Sequence, residues 1–318
     1  MTGTPLRVAF AGLAHSHPYT DAGNVRALGA EVVGVHDADA AASQAFAERF
    51  AGAATASTGA LAALRPDLVI ATPRPHEVVP VLRALGGGVA PVFVNKVIAA
   101  TAAQLAEVDR ALAASSVSVG TSSVLRFAPA LVTLAEEIAV DEVLALRVHA
   151  QHDNAAFQVS DRAWQDDPQR GGGTAVTVGV HAWEMLDVLL PGATLVAGSG
   201  WTRARRGSIT ASEDAAGIEG LLRVPGAARE VPVQVLVTGT PGADAYGVDV
   251  VTASGTRSVA LDVGAEGGGD ANVALGFRGL IRALLDAAPH SATAAPWSEA
   301  RMVVANTIRA AEIARGDA

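Results

Sequence analysis

Between Arg7 and Gly120, short and almost continuously apolar runs recur at intervals, separated by segments of helical character. Arg7 to Gly12 (RVAFAG), Glu31 to His36 (EVVGVH), Asp67 to Ala71 (DLVIA), Val92 to Val94 (VFV) and Ser116 to Gly120 (SVSVG) read as strands. A strand with one solvated face alternates apolar and polar residues, whereas a run apolar at nearly every position is buried on both faces, as in a parallel sheet covered by helices. Ala40 to Phe50, Val78 to Leu85 and Thr101 to Ala114 are the intervening helices. Asp39 is placed to accept an orphan N–H at the start of the first, and Gly86 to stop the second. Alternating units of this kind build a doubly wound α/β sheet.

After about Ala128 the texture changes. Val143 to His152, Leu195 to Arg203, Ile218 to Val224, Val231 to Thr238, Val248 to Thr252 and Ser258 to Val263 have strand character and follow one another with few helices between them. Ser254-Gly255 reads as a hairpin turn. One helix, Thr174 to Leu190, follows Gly171-Gly172-Gly173, and two more, Val273 to Asp286 and Ser298 to Ala314, close the chain after the loop Gly264 to Asn272. This pattern predicts an α+β domain on an open, mostly antiparallel sheet. The expected division is residues 1–123 and 124–318, in keeping with 318 residues at about 100 to 200 per domain.

Composition narrows the function. A net charge of −9 with scattered arginines argues against a nucleic-acid binder, which neutralises phosphates with clustered cations. Without cysteine there is no disulfide framework, thiolate nucleophile or cysteine-ligated metal, and no His/Asp/Glu cluster shows metal spacing. No apolar run reaches the ~18 residues of a membrane span and the start lacks signal-peptide character, so a cytoplasmic protein is expected. Lys96 is the one lysine; the rest of the 23 basic side chains are arginine. In a chain so biased against lysine, this ammonium marks a candidate functional group.

Three segments carry chemistry. The turn Gly12-Leu13-Ala14-His15-Ser16-His17 follows the first strand, where a dinucleotide fold needs small residues for a tight turn and close approach to pyrophosphate. Asp37, ending the second strand, stands where an acid would hold the adenosine ribose hydroxyls and repel a 2′-phosphate, favouring NAD over NADP. Asn95-Lys96-Val97 lies at the carboxyl end of a buried strand, where such sheets bind ligands and a cation can polarise a carbonyl or hydroxyl. On the helix after the triple glycine, Thr177 and His181 are four residues apart and share a face, and the imidazole suits general acid or base work.

In order and spacing these segments resemble the glucose-fructose oxidoreductase/inositol dehydrogenase/rhizopine catabolism (Gfo/Idh/MocA) family along essentially the whole chain. Its GxGxxG turn, "atPp…H" segment, EKP motif, R-F-x-P segment and GGGxLxDxGxHxxD helix have counterparts in Gly12 to His17, Ala71-Thr72-Pro73-Arg74-Pro75-His76, Asn95 to Val97, Arg126-Phe127-Ala128-Pro129 and Gly171 to Glu184. The family's small-residue C-terminal helix matches Trp297 to Arg315, and Trp164 stands where a tryptophan often precedes the glycines.

The resemblance implies a Rossmann-type first domain and a dehydrogenase moving hydride between NAD and a sugar-like or polyol alcohol or its ketone. Lys96 would contact the reacting hydroxyl, His181 take or return its proton, and Thr177 occupy the position of the carboxylate one turn before it. Gly12, Ala14, His15, Ser16, Asp37, Thr72, Pro73, His76 and Asn95 are the expected cofactor contacts. Family members commonly pair through the open sheet, which implies a homodimer or homotetramer, with neither nucleic acid nor membrane as partner.

Four departures stand out: Asn95 for Glu, Val97 for Pro, Thr177 for the carboxylate and His17 for the third glycine. With Val97, a trans Lys96–Val97 bond is expected, since cis bonds are essentially a proline phenomenon. With Thr177, His181 is expected to lack that carboxylate as the partner that orients it. The same residues leave two other readings open: a catalytically silent cofactor- or sugar-binding sensor, and an enzyme that retains NAD while cleaving or epimerising a glycoside.

Overall fold

The computed structural model describes residues 4–86, 90–262 and 270–317. The chain divides into two compact units, one of Met1–Ile98, Ala103–Ser122 and Phe277–Ala300, the other of Ala99–Ala102, Ser123–Gly276 and Arg301–Ala318.

The first unit runs β1 (Arg7–Ala11), α1 (His17–Ala27), β2 (Glu31–His36), α2 (Ala40–Phe50), β3 (Ala53–Ala54), α3 (Thr58–Ala63), β4 (Leu68–Ala71), α4 (Val78–Leu85), β5 (Val92–Val94), α5 (Ala102–Ala113) and β6 (Val119–Gly120). Its six strands are parallel, in the order β3-β2-β1-β4-β5-β6. The order reverses between β1 and β4, the switch point outside whose carboxyl ends such sheets bind ligands. Val8 to Phe10, Leu68 to Ile70 and Val92 to Phe93 have no exposed surface, which is why these strands show no alternation. The Phe46 ring of α2 lies 5.1 Å from Phe10 and 4.7 Å from Phe50. Asp39 caps α2 by accepting from the Ala41 and Ala42 N–H groups, and Gly86 ends α4 with φ +76°. β6 is shorter than expected, because Ser116 is exposed and joins no ladder.

In the second unit come α6 (Pro129–Glu137), β7 (Val143–Gln151), α7 (Gly173–Thr177), α8 (Gly179–Leu189), β8 (Thr194–Arg203), β9 (Ala215–Arg223), β10 (Val231–Thr238), β11 (Ala245–Thr252), β12 (Gly255–Asp262) and α9 (Ala271–Ala274). The sheet order is β12-β11-β7-β10-β9-β8, antiparallel except for the β7/β10 pair. Leu146, Val148 and Ala150 of β7 and Val231, Val233, Val235 and Val237 of β10 are buried, and α7 and α8 pack on these two strands. The last helices are α10 (Phe277–Ala287) and α11 (Trp297–Arg315).

Three expectations are corrected. The helix after the triple glycine is two helices, broken at Val178, where β-branched residues crowd the backbone and Thr177 Oγ1 donates to the Gly173 carbonyl (2.8 Å), a back-bond that bends helices. The helix expected from Val273 is likewise divided, because Gly276 adopts φ +89° between α9 and α10. The hairpin loop is Ala253-Ser254, with Gly255 (φ +133°) opening β12 rather than sitting in the turn. Val263 and residues 264–269 of the expected loop lie outside the described residues.

Candidate functional site

Gly12 ends β1 at φ +92°, and a Cβ there would come within 2.7 Å of the Thr72 carbonyl oxygen, so the turn is closed to any larger residue. Its N–H donates to the His36 carbonyl (2.7 Å) and that of Ala14 to the Thr72 carbonyl (3.1 Å). The half-buried Asp37 carboxylate faces this turn: Oδ2 accepts from Leu13 N (2.6 Å) and Oδ1 from Asp39 N (2.8 Å). Ser16 caps α1 without a side-chain hydrogen bond. His15 Nδ1 accepts from His17 N (3.2 Å), the two rings meet edge-on at 4.6 Å, and His17 also packs edge-on against Phe277 at 5.1 Å. The bulk at the third-glycine position is thereby taken up against α10.

At the ends of the next two strands, Asn95 and Thr72 are buried, and Asn95 N donates to the Ala71 carbonyl (2.8 Å). Asn95 Nδ2 donates to Thr72 Oγ1 (2.9 Å) and to Asp21 Oδ2 (3.0 Å) on α1. Asp21 has no exposed surface, and burial pushes its carboxyl up from the ordinary 3.8 to about 7, with the Asn95 hydrogen bond opposing. Lys96 follows, half-buried at the strand end. Contrary to expectation its bond to Val97 is cis. Val97 and Ile98, which follow, are buried.

His76 lies elsewhere on the unit. Its exposed ring is 3.9 Å from Glu77 and lines a groove of about 630 Å³ with Arg83 of α4 and Glu107 and Arg110 of α5. Pro73 follows Thr72 at the strand end and is buried.

The triple glycine of the second unit is a packing device. A Cβ on Gly171 would lie 2.4 Å from the Trp164 carbonyl oxygen, and Gly172 and Gly173 adopt φ +90° and +65°. Arg315 of α11 donates to the Gly172 carbonyl (2.6 Å) and to Glu213 (2.8 Å), and Glu213 accepts from Ala175 N (2.7 Å) at the start of α7. Thr177, expected to act with His181, is buried and its hydroxyl hydrogen goes to Gly173.

His181 has an orienting partner other than the residue at 177, namely Ser123. Its Nδ1 is 2.6 Å from Ser123 Oγ, which also accepts from Leu125 N (3.1 Å), while Ser123 N donates to Glu184 Oε2 (2.9 Å). The imidazole also lies tilted against the Tyr246 ring of β11, with ring centres 5.1 Å apart. Glu184 Oε1 and Asp187 Oδ2 both receive the Arg126 guanidinium, so the R-F-x-P arginine locks onto the helix that carries His181. Burial pushes the Glu184 carboxyl up, against the pull of Arg126. A serine hydroxyl can accept from Nδ1–H, leaving Nε2 as the nitrogen that takes a proton, and it keeps that role when the ring is charged.

Asp21, Ser123 and Tyr246 are absent from the sequence-level candidates. Asp21 had no usable signal, since α1 shows no apolar stripe for it to interrupt and buries Asn24 beside it. Ser123 had none, being 58 residues from His181. Among the described residues no helix is long and apolar enough to cross a membrane, and no group of three or more His, Asp or Glu is arranged to hold a metal ion.

No protein-family model matches the sequence, and no curated protein matches it. Solved structures do. GenD2 from gentamicin A biosynthesis, in complex with NAD, aligns with TM-score 0.79 at 19% identity over 98% of this chain and 94% of that one. A myo-inositol dehydrogenase from Corynebacterium glutamicum gives 0.77 at 15% over 98% and 97%. The UDP-N-acetylglucosamine 3-dehydrogenase GnnA from Acidithiobacillus ferrooxidans gives 0.73 at 15% over 99% of each. At such identities the likeness establishes the fold alone: a parallel Rossmann-like sheet followed by a mixed, mostly antiparallel one.

Proposed function

We propose that this chain is a nicotinamide-dependent oxidoreductase, using NAD in preference to NADP, that moves hydride between the cofactor and an alcohol carbon of a sugar-like or polyol substrate or its ketone. The observation that carries this is the construction at the carboxyl end of the parallel sheet. There the Gly12 turn is tied to Asp37, and the chain's one lysine stands beside the Asn95 clamp. Likeness of fold to an NAD complex and to polyol and sugar-nucleotide dehydrogenases supports the same reading.

The residues fit a dinucleotide. Gly12 keeps the turn tight, α1 begins without a side-chain cap, and Asp37 presents a carboxylate suited to ribose hydroxyls and hostile to a 2′-phosphate. When bound, a nicotinamide supplies the hydride acceptor. Lys96 holds the substrate oxygen and favours its deprotonated form electrostatically. His181 takes the hydroxyl proton at Nε2 while Ser123 holds Nδ1, and returns it in the reverse direction. Ser123→Ala removes that hold and lowers kcat with little change in NAD affinity.

Calorimetric titration with NAD and NADP, followed by absorbance assays of NADH formation over a panel of cyclitols, hexoses and sugar nucleotides, tests the reading. Tighter binding of NAD and turnover abolished by Lys96→Met and His181→Asn are expected. If neither dinucleotide binds at saturating concentration, the assignment is lost.

The outward face of the second sheet carries Trp201, Leu221, Leu236 and Val251, each more than a third exposed. We infer that a second copy of the chain covers it, since exposed apolar side chains interspersed with polar ones such as Arg147, Glu219 and Gln234 are the make-up of an association surface. A monomeric mass at micromolar concentration by light scattering would contradict this.

A further inference from the structure

Among the buried titratable groups that the reading above leaves unused is Asp21, which has no exposed surface. A helix face packed on a sheet is ordinarily apolar, whereas the buried stripe of α1 holds Asp21 and Asn24 among Pro18, Ala22 and Val25. Burying a carboxyl in that stripe is unfavourable unless something receives it. The receiver is Asn95, 74 residues away, at the position where the resemblance places the glutamate of the lysine motif. The asparagine's two amide hydrogens are divided between α1 and the residue after β4: one goes to Asp21 Oδ2 at 3.0 Å, the other to Thr72 Oγ1 at 2.9 Å. Its backbone N–H is held as well, on the Ala71 carbonyl at 2.8 Å. Asn95 is therefore fixed at three points, and Lys96 is the next residue along the chain.

We propose that Asp21 is a positioning residue for Lys96, supplying from helix α1 the carboxyl that the lysine motif lacks at residue 95 and fixing, through the Asn95 amide, the backbone from which the lysine leaves the sheet. The proposal rests on the reading of Lys96 as the functional cation. Each half of the pair makes sense only with the other. An apolar residue at 21 would orphan a buried donor of Asn95, and an apolar residue at 95 would orphan a carboxyl with no other hydrogen-bond partner among the described residues. The titration of Asp21 near neutral pH fits a group kept for more than packing.

Lys96 is its own reporter. In protein labelled with carbon-13 at lysine Cε the intact chain shows one lysine resonance, because it contains one lysine. Asp21→Ala is expected to displace or split that resonance, while Asp21→Asn, which keeps an acceptor for Asn95, holds it near the native position. Leu61→Val, a core truncation on α3, leaves it unmoved. Asn95→Asp alone sets two buried carboxyls together and displaces the signal. The exchange pair Asp21→Asn with Asn95→Asp rebuilds an amide–carboxyl bond in reverse and restores it. This comparison serves even where Asp21→Ala does not fold. A resonance indifferent to Asp21→Ala, or an exchange pair as displaced as Asn95→Asp alone, overturns the role of Asp21 and leaves the reading of Lys96 standing. Turnover unchanged in Lys96→Met overturns that reading instead, whatever the resonance does.

Discussion

Replacing Asp21 by asparagine should remove a pH dependence of stability that the structure assigns to this one side chain. The carboxyl is wholly buried, accepts one hydrogen bond, and protonates at about 7 in the folded protein against 3.8 ordinarily. Because the folded value is raised, the native state binds a proton that the unfolded chain has already lost between those two values. Stability from this group is thus fully present below about pH 4, falls as pH rises, and levels off above about pH 7. At about 1.4 kcal/mol per unit, the loss between pH 5 and pH 8 is about 3 kcal/mol. In Asp21→Asn the contribution vanishes. The new amide N–H₂ sits where Oδ1 has no hydrogen-bond partner among the described residues, a constant cost of about 1 to 3 kcal/mol. The variant should therefore be the less stable protein at pH 5 and draw level with or overtake the parent by pH 8. Urea unfolding followed by circular dichroism across that range measures the difference directly. A difference between the two proteins that stays flat from pH 5 to 8 would refute the argument, because every other titrating group is common to both.

Two further outcomes follow from the geometry. Arg126→Met keeps an apolar stem but leaves Glu184 and Asp187 buried without their cation, and should cost about 3 to 5 kcal/mol in urea unfolding at pH 7; adding Glu184→Gln should recover part of it, and no recovery would show that the charge is not the cause. Gly12→Ala must either move the backbone from φ +92° or drive Cβ against the Thr72 carbonyl, so calorimetric NAD binding should weaken at least tenfold, about 1.4 kcal/mol, while the second unit's unfolding is unchanged.

What the sequence discloses depends on whether the cause is local. The strands around Val8, Ile70 and Phe93 are legible because burial on both faces writes itself into consecutive apolar residues. Asp39 and Gly86 are legible because a cap needs a particular side chain or backbone freedom at one position. The break at Val178 is hidden, since apolar periodicity continues through it and the cause is a back-bond from Thr177. The cis bond before Val97 is hidden because no proline marks it. Site residues divide in the same way. Gly12, Asp37, Lys96 and His181 stand out by motif, whereas Asp21 and Ser123 gain meaning only when the fold brings them to Asn95 and His181.

That division changes what the departures at 95 and 177 signify. Read along the chain, Asn95 and Thr177 look like the erosion expected of a silent relative. In the folded chain Asn95 binds the Asp21 carboxyl, and His181 is held by Ser123 while Thr177 turns back to its own helix. Buried polar groups are costly unless partnered, so a site released from function has every physical reason to become apolar. Here Asp21, Asn95, Ser123, His181 and Glu184 are all buried, and each is joined to at least one other polar group. On the proposed reading, the hydrogen-bonded supports of the lysine and the histidine come from elements of the fold other than their own motifs, Asp21 on α1 and Ser123 before α6, which favours a working proton-transfer site over a sensor.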